Sequence, residues 1–227
     1  MRYVEVSKAI SLTAGLLLAL VGSVPASAQS LAKRHQIELR VGGWNQMTNV
    51  RTEVGIDGVV TRVASSGFLG GVAYGHWLQE ELALRLSVGV MAASIDVAST
   101  SSVATVSADF AIVAPLLLGM RYYFPKSTYG KQVRPFAGVG IGTFVGSQTS
   151  TQTGLSVVVE SRSEAALGGE LEAGIDVVLD RYVLVTVAAA YNLMTDFDQA
   201  IGGSRNYSGP QMTLGLSLLL GGGRGQP

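Results

Sequence analysis

Residues 82–90 read LALRLSVGV, and this stretch decides the fold because a large apolar side chain occupies every second position. Successive side chains of an extended strand point to opposite faces, so a period of two predicts a β-strand with one apolar face. Residues 211–220, QMTLGLSLLL, repeat the pattern near the end of the chain. No stretch after residue 28 sustains the period of 3.6 that a helix requires. The sequence therefore predicts an all-β protein.

Alternating segments recur along the chain, and they predict eight strands at 37–41, 67–78, 82–90, 110–124, 134–145, 165–179, 182–191 and 211–220. The segments between them alternate in length. Short connections are predicted at 79–81, 125–132 and 180–181, and long ones at 48–66, 147–163 and 195–207, with a Ser- and Thr-rich connection of middling length at 98–106. This layout is typical of an eight-stranded antiparallel up-and-down transmembrane β-barrel with short periplasmic turns and longer outer loops.

The first 28 residues have the order of a secretory signal peptide. Arg2 and Lys8 flank a basic region, residues 10–21 are almost wholly apolar, and residues 26–28 read ASA. This order predicts cleavage after Ala28, because the apolar run falls short of the roughly 20 residues of a membrane-spanning helix. The alternative is a retained anchor helix. Residues 29–227 are then expected to form one barrel domain with a short Gly-rich tail after Leu220.

Composition narrows the classes of function. The chain is 48% hydrophobic and 14% charged with a mean hydropathy of +0.36, which is unusual for an exported soluble domain and predicts contact with outer-membrane lipids. Cysteine is absent, which excludes disulfides, thiol catalysis, cysteine-based metal sites and a lipoprotein anchor. Cleavage would remove Arg2 and Lys8 from the 16 basic residues and Glu5 from the 16 acidic ones, so no basic surface for nucleic acid is predicted.

The polar faces of the predicted strands indicate which side is inside. They carry Gly, Ala, Ser and isolated charges of both signs, but no lysine, and the lysines after residue 28 are confined to positions 33, 126 and 131. A solvated face would use lysine freely, whereas the interior of an eight-stranded barrel is narrow and filled by side chains. Buried charges must be paired. We therefore predict a charge network in the lumen formed by Glu38, Arg40, Arg85, Arg121, Glu170, Glu172 and Asp176. The alternative is a soluble exported barrel whose apolar faces point inward around a lipid.

Aromatic residues cluster near the predicted strand ends. One group lies beside the short turns and is expected to form a periplasmic interface girdle: Trp77, Tyr122, Tyr123, Phe124, Phe136 and Tyr182. A second group lies near the opposite ends and is expected to form the outer girdle: Trp44, Phe68, Phe144 and Tyr191. The alternative is that aromatic residues simply favour the strand ends of any barrel.

Two neighbouring segments carry a family resemblance. Residues 114–124, APLLLGMRYYF, followed by 134–140, RPFAGVG, resemble the central hairpin of small outer-membrane barrels of the porin-opacity and outer-membrane-protein-A transmembrane type. The likeness covers the whole mature chain in layout and this hairpin in detail. It implies a monomer in the outer membrane of a Gram-negative cell envelope, exported by its signal peptide and inserted by the barrel-assembly machinery.

The chain departs from that family pattern at two places. Such barrels usually end in an aromatic residue, whereas Leu220 is followed here by GGGRGQP. Either the chain departs from this assembly signal, or the signal lies in the Leu-rich last strand and a tail follows it. Pro115 lies inside a predicted strand, although proline removes a donor from the ladder and a closed barrel has no edge. We expect Pro115 to mark a bulge near the outer rim.

Candidate catalytic residues are few. His35 and His76 are the only histidines; His35 is expected in a flexible start of the mature chain, and His76 is interpreted as an interfacial polar residue rather than a base. Glu170 and Glu172 share one strand face, as paired acids of a hydrolase would, but a lumen salt-bridge network is the preferred interpretation. No catalytic residue, cofactor or metal is predicted.

Three functions remain open at this stage. The preferred one is a structural, surface-interaction or adhesion-type role, in which long extracellular loops contact an unidentified ligand or surface. The first alternative is transport of small apolar or amphipathic molecules across the outer membrane. The second is a lipid-modifying barrel enzyme, which would need a cluster of His, Ser and acidic residues at the membrane edge.

Overall fold

A computed structural model describes residues 31–45, 52–54, 60–62, 66–94, 110–125, 132–153, 157–202 and 204–221. The predicted signal peptide at 1–28, the predicted connection at 98–106 and the tail after Gly221 lie outside these residues. The strands are β1 (His35–Asn45), β2 (Thr52–Val54), β3 (Val60–Arg62), β4 (Ser66–Trp77), β5 (Leu82–Ser94), β6 (Phe110–Tyr123), β7 (Val133–Thr153), β8 (Val157–Asp180), β9 (Val183–Met194) and β10 (Gly209–Leu220). No helix in the described part of the chain is long and apolar enough to cross a membrane.

Eight of these strands close into an antiparallel barrel in the order β1-β10-β9-β8-β7-β6-β5-β4. The barrel closes at β1, where His35 lies opposite Leu220 on one side and opposite His76 on the other. The predicted fold class is therefore confirmed. Strands β2 and β3 form a separate two-stranded sheet within the predicted 48–66 connection.

The two ends of the barrel differ in the length of their connections. The turns at 78–81 and 181–182, the β6–β7 connection and both ends of the barrel chain lie together at one end, called here the short-turn end. The opposite, long-loop end carries the connections β1–β4, β5–β6 and β9–β10 and the tip of the β7–β8 hairpin. The predicted alternation of short and long connections is confirmed at these positions, except at β7–β8.

Apolar side chains face outward all around the barrel. On β5, Leu84, Leu86, Val88 and Val90 are 38–51% exposed, while Ala83, Arg85 and Ser87 are buried. Every other barrel strand contributes an exposed large apolar residue in the same phase: Leu39, Val72, Leu118, Val139, Leu171, Val187 and Leu216. The prediction that the apolar faces point outward is confirmed. The alternative, in which the apolar strand faces point inward around a lipid, is wrong for the described strands.

The interior is filled in three layers. At the long-loop end lies an apolar layer that includes Trp44, Leu69, Met91, Phe144, Phe197, Ile201 and Tyr207, called the long-loop layer. At the short-turn end lies a second one, the short-turn layer, formed by Leu31, Trp77, Ala83, Tyr123, Phe136, Leu184, Ala188 and Leu219. Charged and polar side chains occupy the space between them. Each layer removes side chains from water, as a narrow eight-stranded lumen requires.

Half of the predicted aromatic girdle residues point into the barrel instead. Tyr122, Phe124, Tyr182 and Phe68 are exposed on the outer wall as expected. In contrast, five others are buried inside and belong to the two apolar layers: Trp77, Tyr123, Phe136, Trp44 and Phe144. The girdle prediction is wrong for these five, because nearness to a strand end does not decide which face a side chain occupies. Consecutive residues such as Tyr122 and Tyr123 must point to opposite faces.

The predicted loop at 147–163 is wrong, because most of it is strand. β7 continues to Thr153 and β8 begins at Val157, with unbroken pairing from Val133↔Val177 to Thr153↔Val157. The segment is rich in Thr, Ser and Val, and Thr and Val favour extended backbone. Beyond the membrane both faces can be polar, so the apolar alternation that identified the other strands is not required there.

Pro115 lies within β6 without the bulge that we predicted. The β5–β6 register is the same on both sides of it, from Val88↔Leu116 to Met91↔Val113, although the two pairs between them are missing from the ladder. Pairing with β7 continues through Pro115↔Phe144. The ring points inward, and a Cβ built on Gly89 would lie 3.2 Å from its Cγ. Glycine on β5 thus leaves the space that this proline occupies.

His35 is also placed differently from the prediction. It is the first residue of β1 and pairs with both neighbouring strands, so it belongs to the barrel wall rather than to a flexible start.

If the apolar faces contact lipid, an arginine placed on them should destabilise the barrel more near the middle of the membrane than near its surface. Leu86→Arg or Ile175→Arg should lower the free energy of unfolding from lipid vesicles by roughly 2–4 kcal/mol, since arginine would meet hydrocarbon near the midplane. Leu167→Arg is the matched control, because Leu167 is exposed near the long-loop rim and arginine there should cost roughly 0–1 kcal/mol. Equal unfolding midpoints in urea for all three variants and the wild type would contradict the assignment.

Candidate functional site in the barrel interior

The seven charged residues predicted for the lumen come from four strands and all lie inside the barrel. β1 carries Glu38 and Arg40, β5 carries Arg85, β6 carries Arg121, and β8 carries Glu170, Glu172 and Asp176. Each is at most 9% exposed. They occupy the inward phase of their strands, so regular alternation brings all seven into the lumen, and the register of the strands sets which of them meet.

Small residues opposite the arginines make room for them. Arg85 lies between Gly75 and Gly119 in the wall, and Arg40 lies between Gly71 and Gly215. Gly138 lies opposite Arg121, and a Cβ there would come within 2.8 Å of Glu172 Cγ and Oε1. The wall thus alternates long charged side chains with glycines, which lets the charges reach across the lumen.

Arg121 is held by two carboxylates from opposite walls. Its Nε donates to Glu172 Oε1 at 2.6 Å and its Nη2 donates to Glu172 Oε2 at 3.0 Å, which is a bidentate pair. Its Nη1 donates to Glu38 Oε2 at 3.0 Å. The guanidinium carbon also lies 4.3 Å from the centre of the Phe136 ring.

Arg85 binds the same two carboxylates and closes a ring. Its Nη1 donates to both oxygens of Glu172 at 3.0 Å, and its Nη2 donates to Glu38 Oε1 at 2.9 Å. Arg85, Glu172, Arg121 and Glu38 therefore form a closed four-membered ring of alternating charge, called here the charge ring. Two positive and two negative groups face each other at direct hydrogen-bond distance, so each charge has a partner after leaving water.

Arg40 and Glu170 form a looser pair on the long-loop side of the charge ring. Arg40 Nη1 lies 3.6 Å from Glu170 Oε1, and Arg85 Nη1 lies 3.9 Å from the same oxygen. Gln211 Nε2 donates to Glu170 Oε2, and Asn192 Nδ2 donates to Gln211 Oε1 at 3.2 Å. Gln211 and Asn192 were missed by the charge-based prediction, although their inward phase on β10 and β9 could have identified them.

Asp176 is held by hydroxyl groups and lies outside the charge ring. Tyr123 Oη donates to Asp176 Oδ2 at 2.9 Å, and Thr186 Oγ1 donates to Asp176 Oδ1 at 2.7 Å. The sequence prediction placed Asp176 in the lumen but did not identify these two partners. The structure thus brings six of the seven predicted residues into direct ionic contact and gives the seventh hydroxyl donors.

The space left around the charges is very small. Two cavities of about 10 Å³ each lie beside Arg85, one bordered by Glu38 and Arg121 and the other by Glu170 and Glu172. A cavity of about this size holds one water molecule at most. The described side chains therefore fill the middle of the barrel.

The connection between β9 and β10 closes the long-loop end. Phe197, Ile201 and Tyr207 are buried in the long-loop layer, and Asn206 Nδ2 donates to Met194 O at 3.0 Å and to Asp196 Oδ1 at 2.8 Å. The Tyr207 hydroxyl donates to Ile201 O, and burial raises the pKa of Tyr207 to about 12. The phenol therefore stays protonated and keeps donating at neutral pH. This connection was predicted as an outer loop, and it packs inward as a cap.

The short-turn end is covered by the residues that precede β1. Leu31 N and Ala32 N donate to Glu80 Oε1 at 2.8 and 3.4 Å, and Leu31 is buried in the short-turn layer. Arg134 donates to Glu80 O and lies over the Trp77 ring, with its guanidinium carbon 4.7 Å from the ring centre. Both mouths of the lumen are thus covered by ordered contacts.

The charged side chains of the interior are paired with one another, and few of the described residues there are candidate catalytic groups. His76 lies in the outward phase of β4 and contacts His35, so neither histidine reaches the charge ring. No group of three or more His, Asp or Glu residues that could hold a metal ion occurs among the described residues. The arrangement binds its own charges to one another.

Comparison with known proteins places the chain among barrel proteins. The family model described as "Outer membrane protein beta-barrel domain" matches residues 14–218. A sequence search of curated proteins gives no match.

Comparison with solved structures finds similar outer-membrane proteins at low sequence identity and with TM-scores below 0.5. The attachment invasion locus protein Ail of Yersinia pestis is 11% identical, with 83% of this chain and 99% of that chain covered at a TM-score of 0.49. Neisserial surface protein A is 13% identical over 82% and 97% of the two chains, with a TM-score of 0.47. The outer membrane protein OprG from Pseudomonas aeruginosa is 13% identical over 86% and 97%, with a TM-score of 0.47.

Breaking the charge ring should destabilise the barrel. Arg121→Leu would leave Glu38 and Glu172 with one arginine between them, so the free energy of unfolding should fall by about 3 kcal/mol or more. The measurement is the urea midpoint of unfolding from lipid vesicles.

Arg40→Leu is the matched control, because Arg40 lies 3.6 Å from its nearest carboxylate oxygen and should cost less. The double variant Arg121→Leu/Glu172→Leu should recover part of the loss, since the uncompensated charge is removed. A wild-type midpoint for Arg121→Leu would show that the charge ring does not stabilise the barrel.

Proposed function

The chain belongs to the outer membrane protein β-barrel domain family, and we propose that it anchors an extracellular β-ribbon which binds partners at the cell surface. The observation that carries this proposal is the length of the β7–β8 hairpin. The proposal includes export by the signal peptide at 1–28, insertion by the barrel-assembly machinery and a monomeric barrel surrounded by outer-membrane lipids. It includes no catalytic activity, cofactor or nucleic acid.

The β7–β8 hairpin extends past the ends of both neighbouring strands, by eleven residues of β8 on the β9 side and by four residues of β7 on the β6 side. β9 ends at Met194, opposite Gly168, and the β6 partner ends at Phe110, opposite Thr149. β7 and β8 stay paired as far as Thr153↔Val157. β8 residues 157–167 thus run about 35 Å along the strand beyond the end of β9. We call β7 residues 143–153 and β8 residues 157–167 the ribbon.

One edge of the ribbon lacks a strand neighbour among the described residues. Thr195 N donates to Leu167 O at 2.8 Å, so the backbone groups of Leu167 point away from β7. In an antiparallel strand every second residue points the same way, which directs the N–H and C=O groups of Ala165, Ser163 and Ser161 to this open side. An open row of this kind can accept an added strand from an extended peptide.

The composition of the ribbon favours contact with a partner over contact with another copy. Charged residues Glu160, Arg162 and Glu164 alternate along β8, and alternating charges protect a sheet edge from self-association. The opposite phase carries Ser161 and Ser163, which are exposed and small. A partner strand whose charges are opposite to those of Glu160, Arg162 and Glu164 therefore fits along this edge.

The alternatives find less support. Transport through the lumen would have to pass the charge ring and both apolar layers, and the cavities described beside Arg85 measure about 10 Å³ each. A lipid-modifying enzyme would need a nucleophile and an acid beside His76, whose ring contact in the described structure is with His35.

The ribbon proposal predicts a loss of adhesion without a loss of folding. Replacing residues 145–165 by Asn-Gly should shorten the hairpin to the end of β9, remove the open-edge residues Ser161, Ser163 and Ala165, and reduce binding of expressing cells to an immobilised extracellular-matrix preparation to the level of cells without the protein. The Asn-Gly pair favours a tight hairpin turn, so the barrel should still form. Unheated gel mobility checks that it does.

A finer variant tests the open edge itself. Ser163→Pro removes an N–H that points away from β7, so the hairpin should persist while strand addition weakens; Ser163→Thr keeps the N–H and is the control. Adhesion by the wild type no greater than by cells without the protein, or full adhesion by the shortened variant, would contradict the proposal.

A further inference from the structure

The two histidines of the chain meet on the outer wall of the barrel. His35 opens β1 and His76 is the second-last residue of β4, and the two residues lie directly opposite each other in the ladder. Their ring centres are 4.7 Å apart with an angle of 33° between the planes. No other histidine and no cysteine occurs in the 227 residues. The fold thus brings every strong nitrogen or sulfur metal ligand of the chain's side chains to one point.

Both rings have nitrogen atoms available. His35 Nδ1 is hydrogen-bonded to Tyr74 Oη at 2.6 Å, which orients the ring and leaves Nε2 as the second nitrogen. His76 Nδ1 is shielded from solvent and has no hydrogen-bond partner among the described residues. A shielded polar atom without a partner is unfavourable, and a metal ion would supply the missing interaction. An oriented imidazole whose other nitrogen is hydrogen-bonded is the usual form of a histidine ligand.

We propose that His35 and His76 form a binding site for a divalent transition metal ion on the barrel wall at the short-turn end. Of these ions, copper(II) should bind most tightly. Neutral imidazoles suit copper, nickel and zinc, and copper(II) has the highest affinity of these for a given nitrogen site. Structural zinc sites take four protein ligands, whereas this site supplies two imidazoles and a neighbouring phenol. The site lies apart from the ribbon, so it does not depend on the adhesion proposal.

The test is a copper(II) titration of the folded mature chain in detergent micelles, followed by electron paramagnetic resonance. One equivalent of copper(II) should bind, and its electron paramagnetic resonance spectrum should show hyperfine splitting from coordinated nitrogen. His35→Gln and His76→Gln should each weaken binding at least tenfold, and the double variant gives the background from backbone and amino groups. Unheated gel mobility shows that each variant is folded. Tyr74→Phe should keep the nitrogen splitting, because Tyr74 orients His35 rather than replacing a nitrogen ligand.

Two variants with two histidines each test the geometry. His35→Gln/Phe124→His keeps two histidines at the short-turn end, but Phe124 follows β6, which is two strands from β4, so at least about 10 Å separates them and binding should stay weak. His35→Gln/Leu84→His places a histidine opposite His76 on the β5 side and should restore binding.

Three results would overturn the proposal. They are wild-type binding no tighter than that of the double His35→Gln/His76→Gln variant, tight binding by His35→Gln/Phe124→His, and zinc(II) binding in preference to copper(II).

Discussion

An eight-stranded barrel encloses a lumen that its own side chains must fill, and here the charge ring of Arg85, Glu172, Arg121 and Glu38 fills the centre. Four ionised groups removed from water would be strongly unfavourable one by one. They are accommodated because each arginine binds two carboxylates and each carboxylate binds two arginines. The glycines in the wall follow from the same requirement, since a Cβ on Gly138 would collide with Glu172.

The two apolar layers pack on either side of this central charged layer. Side chains of Trp77, Tyr123 and Phe136 pack below the charges, and those of Phe144, Phe197 and Tyr207 pack above them. The interior is therefore occupied from one mouth to the other by the chain's own side chains. Function is then expected outside the lumen, on the ribbon that β7 and β8 form beyond the rim and at the histidine pair on the outer wall.

Much of this fold follows from period-two alternation, and the exceptions have physical causes. Alternation identified eight strands and put Arg85 and Glu172 inside, because a barrel strand in a membrane must turn one face to lipid. It could not pair Arg85 with Glu172 rather than Glu170, because contacts across a lumen depend on strand tilt and stagger. The extension of β7 and β8 was missed because water on both faces removes the need for alternation. Trp77 and Tyr123 were assigned to a girdle from their place along the strand, whereas their phase decides that they point inward.

The most direct test of the filled lumen is the ion conductance of the refolded mature barrel in planar lipid bilayers, with folding checked by the mobility of the unheated protein on a gel. Insertion with no conductance steps above the bare-membrane baseline is the result that the charge ring and the two apolar layers predict. Stable open-channel steps from folded wild-type protein would show a continuous aqueous path through the barrel and would contradict the account.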